Sequence, residues 1–90
     1  MSRPLDTSLP RLATGCRWSG EGESRMLLFP EGALRVRDTG HAILQRCDGQ
    51  HTFQQIVEQL QALYQADAAK IREDVAGFLD RLQQKRVVDF

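Results

Sequence analysis

Apolar and polar positions alternate in the front part of this chain and recur at three- and four-residue spacing in the rest. Leu34 and Val36 alternate with Arg35 and Arg37, the period of two that places one strand face on a core and the other in water. Arg25-Met26-Leu27-Leu28-Phe29 is a compact apolar run of strand length. Between the two, Pro30-Glu31-Gly32 supplies a turn, because proline presets φ and glycine is free to take a positive φ. Arg11 to Trp18 alternates imperfectly and is read as a first strand, with the glycine-punctuated loop Ser19–Ser24 after it. Residues 1–9 carry Pro4 and no period, so they are expected to form a flexible lead-in to a single domain over residues 10–90.

The period then changes to that of helices. The first is expected from about Thr39 to Cys47, capped by Asp38 or Thr39 and stopped by Gly49. The second opens at Thr52, where Gln55 three residues on completes a capping-box signature, and Phe53, Ile56, Val57, Leu60, Leu63 and Tyr64 share one face. Asp67 is the expected cap of the third, whose stripe holds Ile71, Val75, Phe78, Leu79 and Leu82. On its wheel Ile71, Val75 and Leu82 are central, while Phe78 and Leu79 occupy opposite flanks. The tail Arg86-Val87-Val88-Asp89-Phe90 is apolar enough to pack back onto the domain. Strands first and helices after predict an α+β fold: a three-stranded antiparallel sheet followed by three helices, winged helix-turn-helix-like with the sheet moved to the N-terminal side.

Composition narrows the function by exclusion. A chain of 90 residues buries about 64% of its unfolded surface, which leaves little apolar material for an enclosed active site. Twelve Lys and Arg balance twelve Asp and Glu, which argues against a dedicated nucleic-acid binder with a basic face. Two cysteines, Cys16 and Cys47, make no disulfide framework. Nothing in the sequence reads as a signal peptide or a membrane span, so the expected setting is the cytoplasm with reduced thiols and no membrane partner.

Catalytic chemistry finds no constellation. His41, Cys47 and His51 are the only cluster of metal-ligating types, and His41 and Cys47, six residues apart on one helix, point in different directions. No nucleophile has an identifiable base beside it, and the glycines do not form a phosphate loop. No catalytic residue, metal or cofactor is expected, and the chain is not read as an enzyme. Gly77, inside the third helix, costs about 1 kcal/mol relative to alanine; it either admits a close approach of another backbone or is a tolerated surface glycine. Arg35 and Arg37 likewise have two readings. They are a solvated face that discourages edge-to-edge aggregation, or they flank a strand edge left open for a peptide.

One resemblance spans about residues 10 to 90. Pro10-Arg11-Leu12, the run Leu27-Leu28-Phe29 into Pro30-Glu31-Gly32, Ile43-Leu44 with Cys47-Asp48-Gly49, Thr52, Ile56-Val57, Leu60 and Tyr64, and the closing Asp74-Val75, Phe78-Leu79 and Leu82 follow one another in a distinctive order. This order resembles the D proteins of pyrroloquinoline quinone biosynthesis (PqqD) and the wider precursor-peptide recognition elements of peptide-modifying systems. The resemblance implies a peptide chaperone that binds the pathway's precursor peptide as an added strand and presents it to a radical S-adenosylmethionine enzyme. Carried over residue by residue, it implies peptide contacts at Leu34, Arg35, Val36 and Arg37 on the strand and at Arg72, Val75, Phe78 or Leu79 on the third helix. One of Phe78 and Leu79 is expected to face the peptide and the other the core. The competing reading is a winged-helix DNA-binding regulator; the balanced charge and the absence of Lys or Arg from Gln54 to Tyr64 count against it.

Overall fold

A computed structural model describes residues 3–90, the side chain of Glu23 apart; Met1 and Ser2, where the lead-in was expected to start, lie outside the described residues. In chain order the elements are β1 (Arg11–Leu12), β2 (Arg17–Ser19), a 3₁₀ turn at Gly22–Ser24, β3 (Met26–Phe29), β4 (Gly32–Arg35), α1 (Asp38–Gln45), α2 (Phe53–Tyr64), α3 (Ala68–Gln84) and β5 (Val88–Asp89). The main sheet is antiparallel in the order β2-β3-β4, and three helices follow it, so the expected α+β architecture is present.

The β3–β4 hairpin forms where the sequence placed it. Phe29 and Gly32 face each other across Pro30 and Glu31. Gly32 does not have a positive φ; the turn is made by the two residues before it, and the glycine simply begins β4.

The expected first strand is broken in two. Cys16 N–H bonds back to the Ala13 carbonyl at 3.1 Å and Gly15 sits at φ +91, a conformation that favours glycine. The halves join different sheets: β2 pairs with β3, whereas β1 pairs antiparallel with β5. Val87 and Val88 are wholly buried. Burying each valine contributes about 1.5–3 kcal/mol, more than the roughly 1–2 kcal/mol needed to order a residue's backbone. The tail therefore closes on the domain.

Nor does the lead-in hang loose. From Arg3 to Pro10 it lies across the helices: Asp6 and Ser8 carbonyls accept the N–H groups of Gln54 and Phe53 at 3.2 and 2.8 Å, and Pro4 and Pro10 are buried. Two orphan donors of the first turn of α2 are thereby satisfied. The capping box of α2 is complete, with Thr52 accepting from Gln55 N–H and Gln55 accepting from Thr52 N–H. Asp67 caps α3 through Lys70 N–H, as expected. At α1 the cap position is Arg37 rather than Asp38 or Thr39; Asp38 lies inside the first turn, where its charge suits the helix N-terminus.

Candidate functional site

Among the described residues β4 has a strand neighbour on one side only. Which of its backbone groups are free follows from one contact: Val36 N–H donates to the Arg25 carbonyl at 3.4 Å, continuing the β3–β4 register by one pair. Hydrogen-bonded pairs alternate in an antiparallel ladder, so Leu34 and Val36 turn their polar backbone atoms towards β3. Ala33, Arg35 and the N–H of Arg37 face outward. The side chains divide the other way, with Val36 buried and Leu34 half-buried on the core side while Ala33, Arg35 and Arg37 are exposed.

Beyond this edge lies a groove of about 610 Å³ between β4, the start of α1 and the C-terminal half of α3. Leu34, Val36, Gly40, Phe78 and Leu82 give it an apolar floor, and Arg35, Arg37, Arg81 and Lys85 stand along it with Asp38. Gly40 is where α1 and α3 come close: a Cβ there would stand 3.3 Å from the Phe78 ring and 3.6 Å from Val36. At Gly77 the nearest atoms to such a Cβ are the guanidinium tips of Arg81 and Arg3, at 3.6 and 3.8 Å. The close approach belongs to Gly40, and Gly77 is the tolerated surface glycine. A second hollow, about 430 Å³, continues along α3 past Gly40 and Phe78 to Glu73 and Arg3.

Of the eight residues named from the sequence, five line this groove: Leu34, Arg35, Val36, Arg37 and Phe78. Val75 and Leu79 do not, being 2% and 0% exposed in the core. Arg72 lies elsewhere too. It is six residues from Phe78, about 120° round the helix, and faces α2 and the N-terminal segment. There it pairs with Asp6, donates to Gln54 at 2.8 Å and sits 5.0 Å above the Phe53 ring. Arg72 fastens three segments together. Arg81, Leu82, Lys85 and Gly40 complete the groove without having been singled out. A signal for three of them existed: Phe78, Arg81, Leu82 and Lys85 fall at i, i+3, i+4 and i+7, one stripe of a helix.

The residues with metal or nucleophile chemistry are dispersed. His41 meets the Trp18 ring edge-on at 5.2 Å, and burial, reinforced by Arg25, holds its pKa below the ordinary histidine value. Burial, with the charge of Asp48 adding, pushes the Cys47 thiol up to about 12. Cys16 is also raised by burial, and both cysteines are free. Asp48 accepts from His51 Nδ1 and from the N–H groups of Gln50 and His51; these bonds, the histidine's first, lower its pKa to about 2. They form a turn after α1 and hold His51 at 3.0 Å from the carboxylate.

Comparison with known proteins places these features in a family. The family described as coenzyme PQQ synthesis protein D (PqqD) matches residues 25–88. A relative from Xanthomonas axonopodis pv. citri, named PqqA binding protein, is 36% identical over 90 residues, covering 98% of each chain. The bifunctional coenzyme PQQ synthesis protein C/D of Methylorubrum extorquens is 35% identical over 85 residues, covering 92% of this chain and 23% of that one. Among solved structures, the solution structure of the PqqD truncation of Methylobacterium extorquens PqqCD, described as a functional stand-alone recognition element for ribosomally synthesized and post-translationally modified peptides, superposes with a TM-score of 0.79. It is 34% identical in sequence, and the match covers 96% of this chain and 94% of that chain.

Proposed function

This chain belongs to the PqqD family, and on that premise we propose that it is a non-catalytic carrier of the PqqA-type precursor peptide. The peptide adds as a further strand to the outer edge of β4, and its inward side chains rest on the floor between β4 and α3. The observation that carries this reading is the open β4 edge standing beside an apolar groove. An unpaired edge offers N–H and C=O groups to any extended peptide, and the groove supplies side-chain selectivity. The chain then presents the peptide to the radical S-adenosylmethionine enzyme of the pathway, in the cytoplasm. Among the described residues no helix is long and apolar enough to cross a membrane.

The test is a titration of the isotope-labelled domain with the synthetic precursor peptide. Saturable shifts at residues 33–37 and along Phe78 to Lys85 are expected. Binding without shifts at either element moves the site elsewhere, and absence of binding at millimolar peptide overturns the reading. A parallel titration with duplex DNA addresses the regulator reading, for which binding with a steep salt dependence is the required result.

A further inference from the structure

Positive charge is balanced over the chain as a whole but not in space. Arg35, Arg37, Arg81 and Lys85 line the β4–α3 groove against one carboxylate, Asp38. Arg25 joins Arg35 and Arg37 around an adjoining hollow of about 530 Å³. The ion pairs among the described residues lie elsewhere, at Arg3–Glu73, Lys70–Asp74, Arg72–Asp6 and Asp48–His51. Like charges that line one hollow repel one another, and among the described residues no ion pair offsets these cations. Protection of an edge strand accounts for Arg35 and Arg37. It does not account for Arg81 and Lys85, which stand on the helix forming the opposite wall. Two cationic walls with an apolar floor between them concentrate the field in the space between.

Resting on the strand-addition reading, we infer that the groove selects an acidic peptide segment in which carboxylates alternate with apolar side chains. Successive side chains of an added strand point to opposite faces. Residues set beside Leu34 and Val36 enter the groove and meet Gly40 and Phe78. Residues set beside Arg35 and Arg37 share the outer face with the two guanidiniums, at a Cβ separation of about 4.5–5.5 Å. A carboxylate there accepts a charge-assisted, two-point hydrogen bond from arginine. Asp38 sets the polarity: it repels an acidic residue at the α1 end, so the carboxylates belong towards Arg35, while Arg81 and Lys85, across the groove, add to the positive field without pairing directly.

The test uses three short fluorescent peptides of alternating pattern, with valine at one parity and Glu, Gln or Lys at the other. The precursor peptide is measured beside them, in its own form and with its Asp and Glu changed to Asn and Gln. The Glu peptide should bind about tenfold more tightly than the Gln peptide, two surface charge pairs' worth, with the Lys peptide weakest. That gap should close as salt rises from about 0.05 to about 0.5 M. The double variant Arg35→Gln, Arg37→Gln should remove most of the gap while its melting temperature stays unchanged, and the neutralised precursor should lose a similar factor. If the precursor binds at β4 but neither neutralisation nor salt changes its affinity, the acidic preference is overturned and strand addition stands. If no peptide binds, both readings fall.

Discussion

Proline placed along β4 separates the two sets of backbone N–H groups. At Arg35 the N–H points away from β3 and the side chain is exposed, so Arg35→Pro removes no ladder bond and no core contact. Proline on an edge strand with its missing donor towards solvent is tolerated, and the change in stability should stay within about 1 kcal/mol. Val36→Pro removes the bond to the Arg25 carbonyl and disturbs a side chain only 4% exposed. One hydrogen bond and a damaged core position together cost about 2–4 kcal/mol, a large share of the roughly 5–15 kcal/mol that holds a domain together. For peptide binding the order reverses. Arg35→Pro removes one intermolecular bond and strands a peptide carbonyl, about 1.5–3 kcal/mol or roughly one to two decades in Kd. Arg35→Ala is the control that separates loss of charge from loss of the donor. Thermal melts and peptide titrations on the three variants are sufficient. An Arg35→Pro domain that melts normally and binds as tightly as Arg35→Ala refutes strand addition at this edge.

The two flanks of α3 should part company: Leu79→Ala empties a wholly buried position and should cost about 2–5 kcal/mol of stability. Phe78→Ala, half-buried in the groove, should lose less stability and weaken peptide binding tenfold or more, read by calorimetry on both variants. Gly77→Ala should raise the melting temperature, by about 1 kcal/mol in stability, because the added methyl meets only flexible guanidinium tips; Gly40→Ala should not, because it meets the Phe78 ring at 3.3 Å. Asp48, with its folded pKa lowered to about 2 from an ordinary 3.8, contributes stability that is complete above the ordinary value and is lost as pH falls through the folded one. Its carboxyl carbon should titrate well below the ordinary aspartate value in an acid series by NMR, and a midpoint near 4 would contradict the His51 and backbone bonds described.

What the sequence disclosed was local chemistry. The Thr52–Gln55 box, the Asp67 cap, the Pro30-Glu31 turn and the period-two run into Val36 each depend on residues a few positions apart, and each stands in the fold. The first strand misled because alternation across Arg11 to Trp18 hides a turn at Gly15 and because its front half pairs with residues near the other end of the chain. The lead-in misled for a similar reason: its carbonyls find donors on α2, which no local period announces. At the groove, alternation marked Leu34 to Arg37 as a half-buried strand, though β4 itself ends at Arg35; that this edge borders a peptide site came from the resemblance, and the contributions of α3 were not legible. A helical wheel shows an apolar stripe but not which neighbour stands on which flank. Arg72 and Phe78 therefore looked equivalent until the sheet was in place on the Phe78 side.

The pairing of Arg11 and Leu12 with Asp89 and Val88 also has a bearing on when the domain becomes competent. Contacts joining distant parts of a chain form late, because the intervening loop must first be closed. Residues 87–89 leave the ribosome after all the helices and the main sheet, and Val87 N–H, bonded to the Leu82 carbonyl at 2.9 Å, pins the end of α3 that carries Arg81, Leu82 and Lys85. A nascent chain can make the β3–β4 hairpin early, but the opposite wall of the groove waits for the tail. Competence to hold a peptide should thus arrive in a single late step, when translation of the domain is finished, rather than growing by degrees during synthesis.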